Sequence, residues 1–204
     1  MVHLEVHSHY SLLEGTARIR QLIARAVEYD MGALALTDTD GLYGAIPFYK
    51  AARDAGVKPI IGVKLGACLL LARDREGYAQ LCEVITAVQL GKVAREALGD
   101  WPFPFDLERL FLLSSDRDVL RRLKKHGFAP LVAITCFEDA TSRYRAEGLY
   151  RFAQAQALRA VAVVPVYLLQ SEDYRIHKVL TAIRKLRTVD SLASEDLAHP
   201  GAWF

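Results

Sequence analysis

Seven short apolar runs, most of them separated by amphipathic stretches of helix length, limit what this chain can fold into. The runs are Leu4–Val6, Ala33–Leu36, Pro59–Val63, Cys68–Ala72, Leu110–Leu113, Pro130–Ile134 and Ala160–Val166. Rich in Val, Ile and Leu and of strand length, they read as buried strands. Helical patterns cover 17–29, 44–55, 76–89, 116–126, 140–157 and 172–186, and none falls between the third and fourth runs. Gly56 before VKPIIG and Gly127 before APLVAI read as helix stops that lead into buried parallel strands. Repeated strand–helix units close into a doubly wound sheet or a barrel, and seven strands with polar residues at their C-terminal ends favour the barrel.

A chain of 204 residues, 52% of them apolar, can bury a core of its own, so one globular domain is expected. No internal repeat, low-complexity tract or Ser/Gly-rich linker divides it. The formal charge of +2 is too mild to demand a polyanionic partner. Cys68, Cys82 and Cys136 are odd in number and show no CxxC spacing, which argues against a disulfide framework or zinc knuckle and fits a reducing cytoplasm. The longest apolar run, AVAVVPVYLL at 160–169, is half a membrane span, and no basic-then-apolar leader opens the chain, so no membrane partner is expected. LGDWPFPFD, 98–106, reads as an ordered surface loop pinned by its own rings.

In such barrels the reactive groups sit where strands run out into loops. Here that rim carries His7, His9, Asp38, Thr39, Asp40, Lys64 and Cys136. Imidazoles and carboxylates on neighbouring strand ends are the donor types that a Zn²⁺ or Mn²⁺ cluster needs, converging within about 2 Å of each ion. His7 and Asp38 can equally satisfy one another or the backbone.

Four stretches carry a family resemblance: VHLEVHSHYSLLEG, ALALTDTDGLYGAIPFYKAARDAGVKPIIGVKLG, LLLARDREGYAQLCEVIT and SEDYRIHKVLTAIR. In this order and spacing they resemble the polymerase and histidinol phosphatase (PHP) domain at the N-terminus of bacterial DNA polymerase III alpha subunits and their error-prone paralogues. The resemblance covers nearly the whole chain and implies a distorted seven-stranded (β/α) barrel, TIM-barrel-like. It also implies that residues 187–204 form an exit segment toward a polymerase core.

Active members of the family bind up to three metal ions at the rim and hydrolyse phosphoesters. Matched position by position, this sequence departs from their ligand set. The first motif, His-x-His in the family, reads Glu5-Val6-His7, and the acidic residue of the SLLDG segment is kept in type as Glu14. The TDHD motif keeps Asp38 and Asp40 but has Thr39 in place of histidine, and the glutamate expected after PIIG is Lys64. The Asp-x-His pair of the seventh strand becomes Pro165 and Tyr167; proline has no side-chain donor and tyrosine ligates well only as phenolate. Putting an ammonium where a carboxylate belongs turns attraction for a cation into repulsion, about 4 kcal/mol for a charge pair at about 4 Å and an effective dielectric near 20. The expectation is that no cofactor is held and that the Lys64 ammonium takes over the vacated centre, neutralising Glu5, Glu14 and Asp40. The alternative is residual Zn or Mn held by His7, His9, Glu14, Asp40 or Cys136.

Other polar residues read more plainly. His9 is expected as an exposed loop residue, Cys136 as a buried free thiol, and His177 as a packing or hydrogen-bonding residue of the last helix. The basic runs RRLKKH (121–126) and RKLR (184–187) read as solvated helix faces, and GAWF as two exposed aromatics left for a neighbour. Three functions follow. The resemblance implies a catalytically silent scaffold of a replicative or error-prone polymerase, bracing the polymerase core or docking a proofreading exonuclease subunit, with weak or indirect DNA contact. The others are a metal-dependent phosphoesterase or 3′–5′ exonuclease with altered ligands, and a stand-alone binder of nucleic acid or a phosphorylated ligand.

Overall fold

The computed structural model describes residues 2–93, 105 and 107–204. The loop expected at 98–106 lies, Phe105 apart, outside them. Among the described residues eight strands alternate with six helices: β1 (Glu5–Val6), α1 (Ile19–Glu28), β2 (Ala33–Leu36), α2 (Ala45–Asp54), β3 (Lys58–Leu65), β4 (Cys68–Ala72), α3 (Arg75–Gln89), β5 (Leu110–Ser114), α4 (Arg117–Lys125), β6 (Leu131–Ile134), α5 (Ala140–Ala155), β7 (Ala160–Ala162), β8 (Pro165–Val166) and α6 (Tyr174–Lys185). Strands β2-β3-β4-β5-β6-β7 are hydrogen-bonded neighbours in that order, and β1 pairs with β8. The seventh predicted strand is thus two short ones, broken at Val163 and Val164.

The residues group into two compact units, one comprising the chain up to Ile60 with Pro165–Phe204, the other Ile61–Val164. In the first unit β1 and β8 are parallel, with Glu5 opposite Pro165 and Val6 opposite Val166. Backbone bonds from Ala35 to His3 and from Thr37 to Val6 set β2 beside β1. Val6, Leu22, Leu34, Phe48 and Leu168 are fully buried and form the floor on which the rim residues stand. At full burial each aliphatic side chain contributes about 1.5–3 kcal/mol.

Residues 187–204 lie back along this unit. Tyr167 and Leu168 donate backbone N–H groups to the Ala202 carbonyl, and Phe204 donates to Leu168. Phe204 is buried against His3 and Tyr29, contrary to its expected exposure, while Trp203 remains exposed.

In the second unit β4 runs antiparallel to both β3 and β5, and β5, β6 and β7 are parallel. Only Gly66 and Ala67 separate β3 from β4, so no crossover can return the chain to parallel register. Helices α3, α4 and α5 start at Asp74, Asp116 and Asp139, whose carboxylates accept the first free amides. Leu120, Val132, Phe152 and Ala153 form a core cluster between α4, β6 and α5.

Candidate functional site

Strand alternation places Glu5 and His7 on one face at the end of β1, where both are buried. The following loop is drawn tight by backbone bonds from Ser11 to Ser8 and from Glu14 and Gly15 to Ser11. It can close only around glycine, because a Cβ on Gly15 would stand 2.2 Å from the Ser8 carbonyl oxygen. At the end of β2, Thr37 holds the neighbouring strand, its hydroxyl accepting from Val6 N at 2.8 Å. Leu13 and Asp40 adopt left-handed φ of 60° and 57° immediately beside Glu14 and Thr39, and such backbone is retained where surrounding contacts fix it.

Asp38 is the hub. Its Oδ1 accepts from Ser8 N at 2.6 Å and from the Ser11 hydroxyl at 2.7 Å, and its Oδ2 accepts from the Ser8 hydroxyl at 2.9 Å. Ser8 and Ser11 are fully buried and Asp38 is 2% exposed, so these are low-dielectric, charge-assisted bonds. Ser11 Oγ also accepts from Thr39 N at 3.0 Å. Thr39 in turn donates its hydroxyl to Glu14 Oε2 at 2.5 Å.

This inventory fixes the role of His7 Nδ1. The single protons of Ser11 and Thr39 are spent on Asp38 and Glu14, so His7 Nδ1, 3.1 Å from Ser11 Oγ and 3.3 Å from Thr39 Oγ1, must itself donate. His7 Nε2 then faces Glu5 Oε1 at 3.5 Å and makes no hydrogen bond. The Tyr167 ring stacks on the imidazole, centroids 4.0 Å apart and planes 6° from parallel. Burial, and secondarily the Glu5 carboxylate, push the Tyr167 phenol far above its ordinary range, so the phenolate a metal would want is disfavoured.

Glu14 has a cation of its own. Arg184 of α6 donates to Glu14 Oε1, and the pair is 30% and 18% exposed. His177, two turns earlier on α6, contacts the Glu14 carbonyl through Nδ1 at 2.9 Å while its Nε2 accepts from Ala198 N at 3.0 Å. An accepting Nε2 requires the proton on Nδ1, which makes His177 a neutral donor, and burial lowers its pKa. The expected packing and hydrogen-bonding role of His177 is therefore realised. Arg184, expected on a solvated face, is instead a partner of Glu14.

The structure thus brings Glu5, His7, Glu14, Asp38, Thr39 and Tyr167 together. Pro165 stands opposite Glu5 on β8, and Asp40 follows Thr39, half-buried. His9 is exposed, its ring tilted on Tyr10 at 4.3 Å. Lys64 and Cys136 belong to the second unit. Lys64 is half-buried on β3 opposite Leu69, and Cys136 is exposed rather than buried because β6 has already ended at Ile134. Cys68 is the buried thiol, raised to about 11 chiefly by burial. Among the described residues no three His, Cys, Asp or Glu side chains are grouped to hold a metal ion. Ser8, Ser11 and Arg184 were missed as site residues. Both serines lie inside the HSHYSLLEG motif at hydroxyl-donor spacing, whereas Arg184 has no local signal.

Residues 3–101 match the PHP domain family. The chain is 31% identical to the DNA polymerase III subunit alpha of Halalkalibacterium halodurans, over 95% of this chain and 20% of that protein. It is 32% identical to the error-prone DNA polymerase of Symbiobacterium thermophilum, over 93% and 21%. The chain spans about a fifth of the length of these relatives. A solved amidohydrolase from Chromobacterium violaceum superposes with a TM-score of 0.53 at 14% identity, covering 88% of this chain and 96% of that one, a likeness of fold alone. The α/β, TIM-like fold class read from the strand pattern is that of this neighbour. Among the described residues no helix is long and apolar enough to cross a membrane.

Proposed function

Because the chain is a relative of the PHP domains of bacterial DNA polymerase III alpha subunits and error-prone polymerases, we propose that it is a catalytically silent PHP module that braces a polymerase chain rather than cutting phosphoesters. The observation that carries this reading is the commitment of the ligand oxygens. Both oxygens of Asp38 are taken by Ser8 and Ser11, and both oxygens of Glu14 by Thr39 and Arg184. Of the remaining family positions Glu5, His7 and Asp40 keep donor side chains, while Thr39, Lys64, Pro165 and a neutral Tyr167 phenol do not supply the ligands the family has there, so this donor set does not fit a two- or three-ion cluster. No hydrolytic step is assigned to it. The proofreading exonuclease and DNA remain candidate partners of this scaffold on the strength of the family likeness.

Where the resemblance puts a carboxylate after PIIG this chain has Lys64, and in this reading its ammonium is a built-in cation. Lys64→Glu therefore lowers Tm at neutral pH by adding a carboxylate without its counter-charge; an unchanged Tm speaks against a built-in cation.

One observation favours a second reading. His7 Nε2 is buried, has no hydrogen-bond partner among the described residues and faces Glu5 Oε1 at 3.5 Å, a pair able to hold a single divalent ion. Elemental analysis after dialysis separates the readings. The scaffold retains no stoichiometric Zn or Mn, while one retained equivalent, lost in His7→Ala, establishes the second. Two or more equivalents, with chelator-sensitive phosphoesterase activity, overturn the scaffold altogether.

A further inference from the structure

The loop after β1, the first turn of α1 and one face of α2 enclose a cleft of about 810 Å³, inside the range of about 300–1,000 Å³ usual for ligand sites. None of Glu5, His7, Glu14, Asp38 and Thr39 lines it, and every residue that does belongs to the first unit. Pro47, Lys50, Ala51 and Asp54 enter from α2, where their helical spacing sets them on one face. With Ile19 and the Tyr10 ring, Pro47 and Ala51 give the cleft an apolar wall. The His9 ring leans on Tyr10, centroids 4.3 Å apart. His9 N donates to the Ala17 carbonyl at 2.9 Å, which fastens this loop to the start of α1 and shapes the wall in advance of any ligand.

The charges say which ligand suits the cleft. Arg18, Arg20 and Lys50 line it against a single carboxylate, Asp54. Lys50 and Asp54 stand four residues apart on α2 without forming an ion pair, and neither arginine has an ionic partner among the described residues. Arg18 and Arg20 occupy the N-cap and first turn of α1, where the helix dipole disfavours cations and no carboxylate offsets them. These three charges do not stabilise the fold by itself, and together they favour an anion in the cleft. A guanidinium fork matches the oxygens of a phosphate, while an aromatic ring and an apolar wall accept the flat face of a base. Neither half of the cleft fits inorganic anions or apolar molecules as well as it fits a ligand that carries both groups.

We propose that this cleft binds a nucleotide, with its phosphates on Arg18, Arg20 and Lys50 and its base against Tyr10, Ile19 and Pro47. A free nucleoside triphosphate and the phosphorylated end of a single strand share this chemistry. The site is separate from the rim and does not depend on whether the rim is silent.

Isothermal titration calorimetry on the full chain tests it, in EDTA so that no metal ion takes part and at about 50 mM NaCl so that screening stays low. The probes are ATP, adenosine, sodium triphosphate and a 5′-phosphorylated oligothymidylate of about eight nucleotides. ATP should bind with a Kd below about 1 mM, and adenosine and triphosphate each at least about tenfold more weakly. Arg18→Ala with Lys50→Ala should weaken ATP at least about tenfold, and Ala51→Glu, which sets a carboxylate on the wall, should abolish binding. Lys125→Ala with Arg145→Ala removes the same charge from exposed positions of α4 and α5 and should change the affinity less than about twofold. Unchanged far-UV circular dichroism certifies the fold of each variant. An oligonucleotide that displaces ATP and binds more tightly identifies a strand end as the source, and the reverse order identifies the free nucleotide. The proposal is overturned if neither ATP nor the oligonucleotide binds, or if triphosphate binds as tightly as ATP. Affinity indifferent to Arg18→Ala with Lys50→Ala, or lost equally in the Lys125 and Arg145 control, overturns it as well.

Discussion

Removing the Asp38 carboxylate is the most direct perturbation of the rim. Three donors end on it: Ser8 N at 2.6 Å, Ser11 Oγ at 2.7 Å and Ser8 Oγ at 2.9 Å. Hydrogen bonds to a charged acceptor contribute about 1.5–3 kcal/mol each, but the two hydroxyls can turn to new partners once it is gone. The Ser8 amide cannot. It is fully buried, and leaving it unsatisfied costs about 1–3 kcal/mol. With partial loss of the hydroxyl bonds, Asp38→Ala should destabilise by about 3–5 kcal/mol, a large share of the 5–15 kcal/mol typical of a domain. Asp38→Asn keeps an oxygen for Ser8 N and Ser11, and its amide can donate to the Ser8 hydroxyl, so about 1–2 kcal/mol is expected. Urea unfolding followed by circular dichroism, read from the midpoint at constant slope, measures both. The ranking must survive EDTA, because a structural carboxylate does not depend on an ion. Asp38→Ala within about 1 kcal/mol of wild type, or a deficit that EDTA erases by destabilising wild type to match, would refute the assignment of Asp38 to the hydrogen-bond network.

Two further outcomes follow from α6. In a double-mutant cycle, Glu14→Gln and Arg184→Met should couple by about 1–2 kcal/mol, above the range of exposed pairs, because both side chains are less than a third exposed; coupling below about 0.3 kcal/mol contradicts a specific pair. His177 is held neutral in the fold and its pKa is lowered by burial, so the unfolded chain takes up its proton first as pH falls below the ordinary histidine range. Stability contributed by His177 is thus full above the ordinary histidine range and declines as pH falls through and below it, and His177→Gln should flatten that limb of the urea midpoint against pH.

Much of the fold is visible in the sequence because its signals are local. The six helices among the described residues fall within two residues of their periodic patterns, as with Ala45–Asp54 inside 44–55 and Arg75–Gln89 beside 76–89. Strand positions are equally plain. Strand direction is not: β4 has the apolar composition of a parallel core strand and runs antiparallel because a two-residue connection permits nothing else. The break at Val163 and Val164 is also silent, since an apolar run carries no mark of where its ladder changes partner.

The rim divides along the same line. The motif residues that resemble a metal site do converge, and each departure from the ligand set can be read from side-chain chemistry alone. What occupies the freed valences cannot, because the partners come from distant sequence. Arg184 meets Glu14 across 170 positions, and a basic run at a helix C-terminus has a sufficient local explanation in the dipole. The serines were hidden differently. Within HSHYSLLEG they look like loop polarity until Gly15 lets the loop close onto the Ser8 carbonyl and turns both hydroxyls toward Asp38. A carboxylate that meets three protein donors is already neutralised at short range, so the oxygens of Asp38 and Glu14 have protein partners. The proposed scaffold role rests on that commitment: with donors in place, an ion would have to displace them.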